Sequence, residues 1–354
     1  MKRNGLRGFY FEKLNLNYTA MKIKKMLGIA ILAGTIATMI ACNNEGAAPS
    51  IKAPTPEGFG RVRSAALKSI TQTVTFNAED GIDFTSEKGV RLFINPYQIS
   101  LNGDPVTGPV TLEFIELYKK GDMLVVNKPL MGTALDGVSK GPMITGGQFY
   151  VNVTKDGQQI DQTTYYMTVP TENTGGFQSG MTIWRGEENE NGDMTWQEVA
   201  GEEGLVDGCG GGVEVMASRA CEGGDYNVLA GFFGWINIDI LWDLPEPKTK
   251  IWIKVPNGFD NKNCAVYVVY KDQPGALAYM DQWDPEKKMF TEHYGLAPVG
   301  FNFYVVFVSG IEGTNNFIYA YKDVVVEEDK AITFEAGELK EITKSALIAL
   351  INNL

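Results

Sequence analysis

Apolar and polar residues alternate with period two along most of the chain. The alternation is clearest in Gly234-Trp-Ile-Asn-Ile-Asp-Ile-Leu-Trp242. A strand here puts Ile236, Ile238, Ile240 and Trp242 on one face, the expected core, and Trp235, Asn237, Asp239 and Leu241 on the other. The same reading predicts strands at Thr71–Asn77, Val90–Ile94, Val110–Tyr118, Met123–Val126, Gln148–Val153 and Tyr165–Val169. Met181–Trp184 and Met194–Val199 read as the arms of a hairpin whose acidic tip, Glu187–Asp193, is a solvated turn. Later strands are predicted at Lys250–Val255, Cys264–Tyr270, Ala276–Met280, Met289–Tyr294, Phe301–Val308 and Phe317–Val326. In Val110–Tyr118 the apolar phase shifts between Phe114 and Ile115, which predicts a β-bulge there.

The period changes twice. Near the end, Leu339, Ile342, Ala346, Leu347, Leu350, Ile351 and Leu354 recur at helical spacing. One amphipathic helix over Glu338–Asn353, docked on the second body, is expected. Near the start, Lys22, Lys24 and Lys25 precede an apolar run that ends at Ala41-Cys42. That order of charge, apolar core and small residue is an export signal, and the run is short for a spanning helix.

Turn chemistry agrees with β structure. Asp80-Gly81, Asn102-Gly103, Asp136-Gly137, Asp156-Gly157, Asn191-Gly192 and Asn257-Gly258 supply the positive-φ pairs that hairpins need. The expected fold is all-β: two tandem β-sandwich domains, immunoglobulin-like or transthyretin-like, with one C-terminal α-helix. The expected organisation is an extension at 1–20 ahead of a start at Met21, a lipoprotein signal at 21–41 and a flexible tether at 42–68. A first sandwich at 69–199 and a Gly-rich linker at 200–224 follow. A second sandwich at 225–334 and the helical end at 335–354 complete the chain.

Two motifs carry a resemblance. Met39-Ile-Ala-Cys42 resembles the lipobox of bacterial lipoproteins, in which the cysteine receives diacylglycerol. Asn102-Gly-Asp-Pro-Val-Thr-Gly-Pro-Val-Thr-Leu-Glu-Phe-Ile-Glu116 resembles a segment of cell-envelope lipoproteins from Bacteroidetes-type bacteria, and Gly234-Trp-Ile-Asn-Ile-Asp239 is similar to a strand of the same proteins. The resemblance implies lipidation at Cys42 and an outer-membrane location on the cell surface or the periplasmic face. It also implies a first domain like the sandwich of netrin receptors and zonula-occludens proteins. It implies no single activity.

Charge narrows the partners. The chain carries 31 Lys and Arg against 43 Asp and Glu, a formal net charge of −12. The excess of acid disfavours nucleic acid and leaves the lipid as the expected membrane contact. No Gly-rich phosphate loop opens a helix, so no nucleotide is expected, and no other cofactor is. Cys209 and Cys221 flank a glycine run, and a disulfide between them stays open beside two free thiols. Cys264 begins an apolar strand and reads as a buried small hydrophobe.

Candidate chemistry is sparse. His293 is the one histidine, which leaves no histidine cluster for a metal and makes a surface strand its expected place. The run Glu187–Asp193 lacks the acid order of an EF-hand, so no metal is assigned. Glu113 and Glu116 fall on opposite strand faces unless the bulge realigns them. Trp235, Asn237 and Asp239 combine an aromatic with hydrogen-bonding groups on one face. They are the candidate ligand-binding residues, with bracing of a neighbouring loop as the rival role. The functional expectation is a non-catalytic, lipid-anchored envelope module that binds glycan or protein. A glycan hydrolase using paired carboxylates such as Asp239 and Glu116, and a fimbrial subunit, are the alternatives.

Overall fold

The computed structural model describes residues 51–354, apart from 162, 191, 200–203, 208–223, 294–296 and 329. The signal, Cys42, Cys209 and Cys221 lie outside the described residues, so neither lipidation nor the disulfide is addressed by the geometry. The fold is mostly β, with three α-helices among the described residues.

The first body holds two main sheets that share a hydrophobic core. The larger runs Gln72–Asn77, Pro109–Leu117, Lys140–Lys155, Gly234–Leu241, Thr182–Glu188, Met194–Glu198, Met131–Thr133. The smaller runs Gly204–Asp207, Asp225–Ala230, Tyr165–Pro170, Arg91–Ile94, Ile82–Thr85. Leu112, Phe114, Phe149, Val151, Ile236 and Ile238 of the larger sheet share a core with Leu92, Tyr165, Met167, Tyr226 and Val228 of the smaller.

One end of the larger sheet closes on itself. Met131–Thr133 pairs in parallel with Met194–Glu198 and antiparallel with the start of Lys140–Lys155. With Gly234–Leu241 and Thr182–Glu188 between them, these strands form a five-stranded ring. Closure removes the exposed edges that an open sheet would leave. Lys140–Lys155 serves both the ring and the open part of the sheet because it is bulged. Ile238 pairs with Gly147 and Asp239 with Thr145, which leaves Gly146 unopposed. Glycine is required there: a Cβ on Gly146 would lie 2.8 Å from the Tyr226 ring, and Gly147 has φ +136°.

The second body also has two main sheets. The longer runs Leu277–Tyr279, Cys264–Tyr270, Asn302–Gly310, Phe317–Val325, Lys340–Ile342, and the shorter runs Gln282–Asp284, Met289–Thr291, Trp252–Lys254, Ala331–Thr333. Ile253, Phe290, Val266, Val268, Phe303, Val305 and Phe307 fill the space between them. Cys264 is buried, with its thiol 3.1 Å from the Asp260 carbonyl oxygen.

A third core joins the bodies. It holds Ile115, Leu117, Trp184, Trp196 and Trp235 of the first body and Ala265, Tyr267, Val269, Val306 and Val308 of the second. Three helices complete it. Helix α1, Pro56–Lys68, is capped by Thr55, whose hydroxyl accepts from Gly58 N at 3.0 Å, and has Pro at its start. It buries Phe59, Val62 and Ala66. Helix α2, Lys120–Val126, is buried except at Asp122 and ends on left-handed Asn127. Helix α3, Lys344–Asn353, starts at Thr343, whose hydroxyl accepts from Ala346 N, and buries Leu347 and Ile351. A Cβ on Gly121 would lie 2.5 Å from the Ile348 carbonyl, so α2 and α3 pack backbone to backbone.

Several sequence expectations need correction. Residues 56–68, read as tether, are α1; the spacing of Phe59, Val62 and Ala66 is helical. Met123–Val126 is helix, because its apolar residues are buried on every side rather than on alternate ones. The bulge expected at Phe114–Ile115 is absent. Pairing runs unbroken from Thr111–Thr154 to Leu117–Gln148. The apparent phase shift arises because both faces of that strand are covered, Phe114 by the smaller sheet and Ile115 by the helical core. The linker read at 200–224 contains the Gly204–Asp207 strand. The boundary at 225 falls inside the first body, since Asp225–Ala230 and Gly234–Leu241 pair with strands from before the linker. The terminal helix is shorter than expected, with the Lys340–Ile342 strand ahead of it.

Candidate functional site

Trp235, Asn237 and Asp239 do share a face, as the alternation requires, but that face looks into the ring. The glycines show it. A Cβ on Gly186 would lie within 2.8 Å of Met194, Trp235 and Trp196, and one on Gly132 would lie within 2.8 Å of Met143 and Trp184. Asn237 and Asp239 are fully buried and Trp235 nearly so.

Most polar atoms inside bond to one another or to the backbone. Asn237 Nδ2 donates to Asp239 Oδ2 at 2.6 Å, Thr145 Oγ1 donates to Asn237 Oδ1 at 3.1 Å, and Gly147 N donates to Thr145 Oγ1 at 2.8 Å. This chain holds the bulge of Lys140–Lys155. The Trp184 indole N–H donates to the Asp239 carbonyl oxygen at 3.0 Å, and that of Trp196 to the Pro129 carbonyl oxygen at 2.8 Å. Burial pushes the Asp239 carboxyl well above the usual carboxylate range, against the hydrogen bonds of Thr145 and Asn237. Its Oδ1 has no hydrogen-bond partner among the described residues.

The other singled-out acids are also engaged. Glu113 and Glu116 stay on opposite faces. Glu116 is buried and accepts from Ser86 Oγ and Lys88 N, both at 2.8 Å, and from Gln72 Nε2 at 3.1 Å. It fixes the turn between the first two strands of the smaller sheet. Asp239 and Glu116 therefore face no common cleft. His293 lies just beyond the Met289–Thr291 strand, with Nδ1 2.5 Å from Asp281 Oδ2. The hairpin tip is docked rather than free. Asn127 Nδ2 donates to the Gly192 carbonyl oxygen at 3.0 Å, and buried Lys128 pairs with Glu188 and stands 5.0 Å from the Trp235 ring centre. Burial holds the Lys128 ammonium below its ordinary pKa, against the pull of Glu188.

A different face is open. On the outer side of the smaller sheet, pairing aligns Asp83, Phe93, Tyr166 and Leu229 in one row. Phe93 and Tyr166 are directly opposed, and each is 38% exposed. The next row along is Thr85, Arg91, Thr168 and Asn227. Arg91 grips Asp83 with two nitrogens, at 2.8 and 2.5 Å, and so holds the Asp83 carboxyl below its usual range. Thr168 Oγ1 lies 3.3 Å from Asn227 Oδ1. Tyr97, in the turn leaving the Arg91–Ile94 strand, is 84% exposed at φ +62°. A bulky residue in that region is strained. This face combines flat apolar rings with fixed donors and acceptors, which suits a ligand having both.

The sequence reading missed this face, although a signal was present. In Val90–Ile94 the inward phase is Val90, Leu92 and Ile94, and in Tyr165–Val169 it is Tyr165, Met167 and Val169. Phe93 and Tyr166 are therefore aromatic residues on the outward, ordinarily polar phase.

The chain matches no family model, no curated protein and no solved structure. Among the described residues no helix is long and apolar enough to cross a membrane, and no group of acids, His and Cys could hold a metal ion.

Proposed function

We propose that this chain is a non-catalytic binding module of the cell envelope, lipid-anchored at Cys42, that holds a glycan on the outer face of its smaller sheet. One observation carries the reading: Phe93 and Tyr166 stand side by side and exposed on a regular sheet, with polar partners fixed in the adjoining row. Sugar rings offer flat C–H faces and a rim of hydroxyls, and aromatic rings beside hydrogen-bonding groups match both. A rigid sheet presents its side chains already ordered, which lowers the entropic cost of binding.

The test is an array of uncharged glycans probed with the full-length chain in neutral detergent, then with the Phe93→Ala/Tyr166→Ala variant. Retention of a glycan by the native chain and its loss in the variant is the expected result. No retained glycan, or retention that ignores both substitutions, overturns the reading. The anchor is tested separately, by palmitate incorporation, which Cys42→Ala should abolish.

A further inference from the structure

Trp252 marks a second surface of opposite electrical character to the rest of the chain. Ile253 points into the second body's core, packed with Phe290. Trp252 and Lys254, one residue to either side, belong to the outward phase of the shorter sheet. Pairing sets Lys254 opposite Met289, and Met289 opposite Asp284. The turn between these last two strands carries Lys287 and Lys288.

Four exposed lysines gather here: Lys250, Lys254, Lys287 and Lys288. The Lys287 ammonium lies 3.6 Å from the Trp252 ring centre, and that of Lys250 lies 5.7 Å from it. An aromatic ring steadies a lysine without neutralising it, so the charge stays available to an outside anion. Carboxylates nearby do little to cancel the patch. Asp284 is 3.6 Å from Lys287, and it already accepts from the backbone N–H groups of Glu286 and Lys287. Glu286 is exposed in the same turn. Lys330, beside the edge strand, is paired with Glu327. Among the described residues Lys250, Lys254 and Lys288 have no carboxylate within ion-pair distance. In a chain with 43 acids against 31 bases, four lysines beside Asp284 and Glu286 are a local reversal of sign.

We infer that this face docks an acidic polysaccharide, one whose sugar rings carry carboxylates. The lysines would meet the carboxylates, and the half-buried Trp252 ring would lie against a sugar between them. Charge complementarity selects the occupant. The acidic remainder of the molecule repels polyanions, so only a ligand that follows this patch gains from it. The inference does not depend on the Phe93–Tyr166 face, and the experiment separates the two.

Full-length chain in neutral detergent is applied to immobilised polygalacturonate and, in parallel, to uncharged dextran. The native chain should be retained by polygalacturonate and not by dextran. Retention should weaken as salt rises from about 50 to about 300 mM, because exposed charges are then screened. The Lys254→Glu/Lys288→Glu variant should bind about tenfold more weakly, since both substitutions lie at exposed, unpaired positions and reverse the local sign. Trp252→Leu should weaken binding without changing its salt dependence, and Phe93→Ala/Tyr166→Ala should leave it as it was. No retention on polygalacturonate overturns the inference, as does retention indifferent to the lysine substitutions. Binding to vesicles of anionic phospholipid that polygalacturonate cannot displace overturns it too, and assigns the face to a membrane instead.

Discussion

The ring interior and the outer face of the smaller sheet use the same kinds of residue for opposite ends. Inside the ring, Trp184, Trp196 and Trp235 stand beside Thr145, Asn237 and Asp239, and solvent is excluded. On the outer face, Phe93 and Tyr166 stand beside Thr168, Asn227, Arg91 and Asp83, and solvent is present. An aromatic beside a hydrogen-bonding group is thus not evidence of a ligand site by itself. What decides is whether another layer covers that face, and here ring closure by a three-residue strand, Met131–Thr133, does so.

The contrast between the two faces fails most visibly if the interior is not closely packed. Removing an indole there leaves a cavity walled by strands that cannot collapse, and it orphans a carbonyl. Trp196→Ala should cost about 3–5 kcal/mol, the range for large-to-small core changes. Phe93→Ala on the open face should cost about 1 kcal/mol or less, the scale of a cross-strand pair. Urea denaturation of both variants reads the contrast directly. Similar small losses in both would mean that the ring is loose and the distinction unsound.

Ligand binding tests the two faces from the other side. The Phe93→Ala/Tyr166→Ala variant should lose about 2 kcal/mol of affinity for whichever uncharged glycan the native chain retains, a factor of about thirty. Trp235→Phe, a change to the sealed face, should leave that affinity unaltered. Titration calorimetry with the retained glycan measures both. An effect of Trp235→Phe on binding as large as that of the open-face variant would show that the ring opens to ligand.

Much of the β structure could be read from alternation, and the places where it could not have one cause. Cys264–Tyr270 has no polar phase, so its strand is legible but its neighbours are not: Val266 and Val268 meet the shorter sheet, while Ala265, Tyr267 and Val269 meet the helical core. The same double burial made Ile115 look out of phase and made Met123–Val126 look like a strand. Alternation shows which residues share a face. It does not show pairings between distant segments, and those put Gly234–Leu241 into the first body and turned Asp239 inward. Alternation puts Trp235, Asn237 and Asp239 on one face, but it does not show the ring that covers that face. Phe93 and Tyr166 were visible as outward aromatics once their strands were drawn.

The chain leaving helix α2 meets the ring at Lys128, and that contact offers a gentler probe of the seal. Glu188→Ala leaves a buried ammonium without its partner, whereas Lys128→Met removes the charge and keeps most of the volume. The first should cost about 1–3 kcal/mol and the second less, because an unpaired buried charge is more costly than none. Thermal unfolding of the two variants at neutral pH ranks them. The reverse ranking would mean that water reaches Lys128.

The smallest effect tests the ring through a proton. Asp239's folded pKa lies above its unfolded value because burial disfavours the anion. The folded chain therefore keeps a proton that the unfolded chain releases once pH passes the ordinary carboxylate range. This group's contribution to stability is whole below that range and is lost as pH rises toward the folded pKa. Asn cannot ionise, and its side-chain oxygen can still accept from Asn237, so Asp239→Asn removes the pH-dependent part alone. Any cost of the new amide N–H is constant with pH and shifts the curve without tilting it. The stability of the variant relative to the native chain should thus rise by about 1 kcal/mol or more between about pH 4 and about pH 8. Chemical denaturation at a series of pH values gives this slope. A flat difference would mean that Asp239 ionises in the folded chain as it does in water, and that the ring interior is as wet as the face carrying Phe93 and Tyr166.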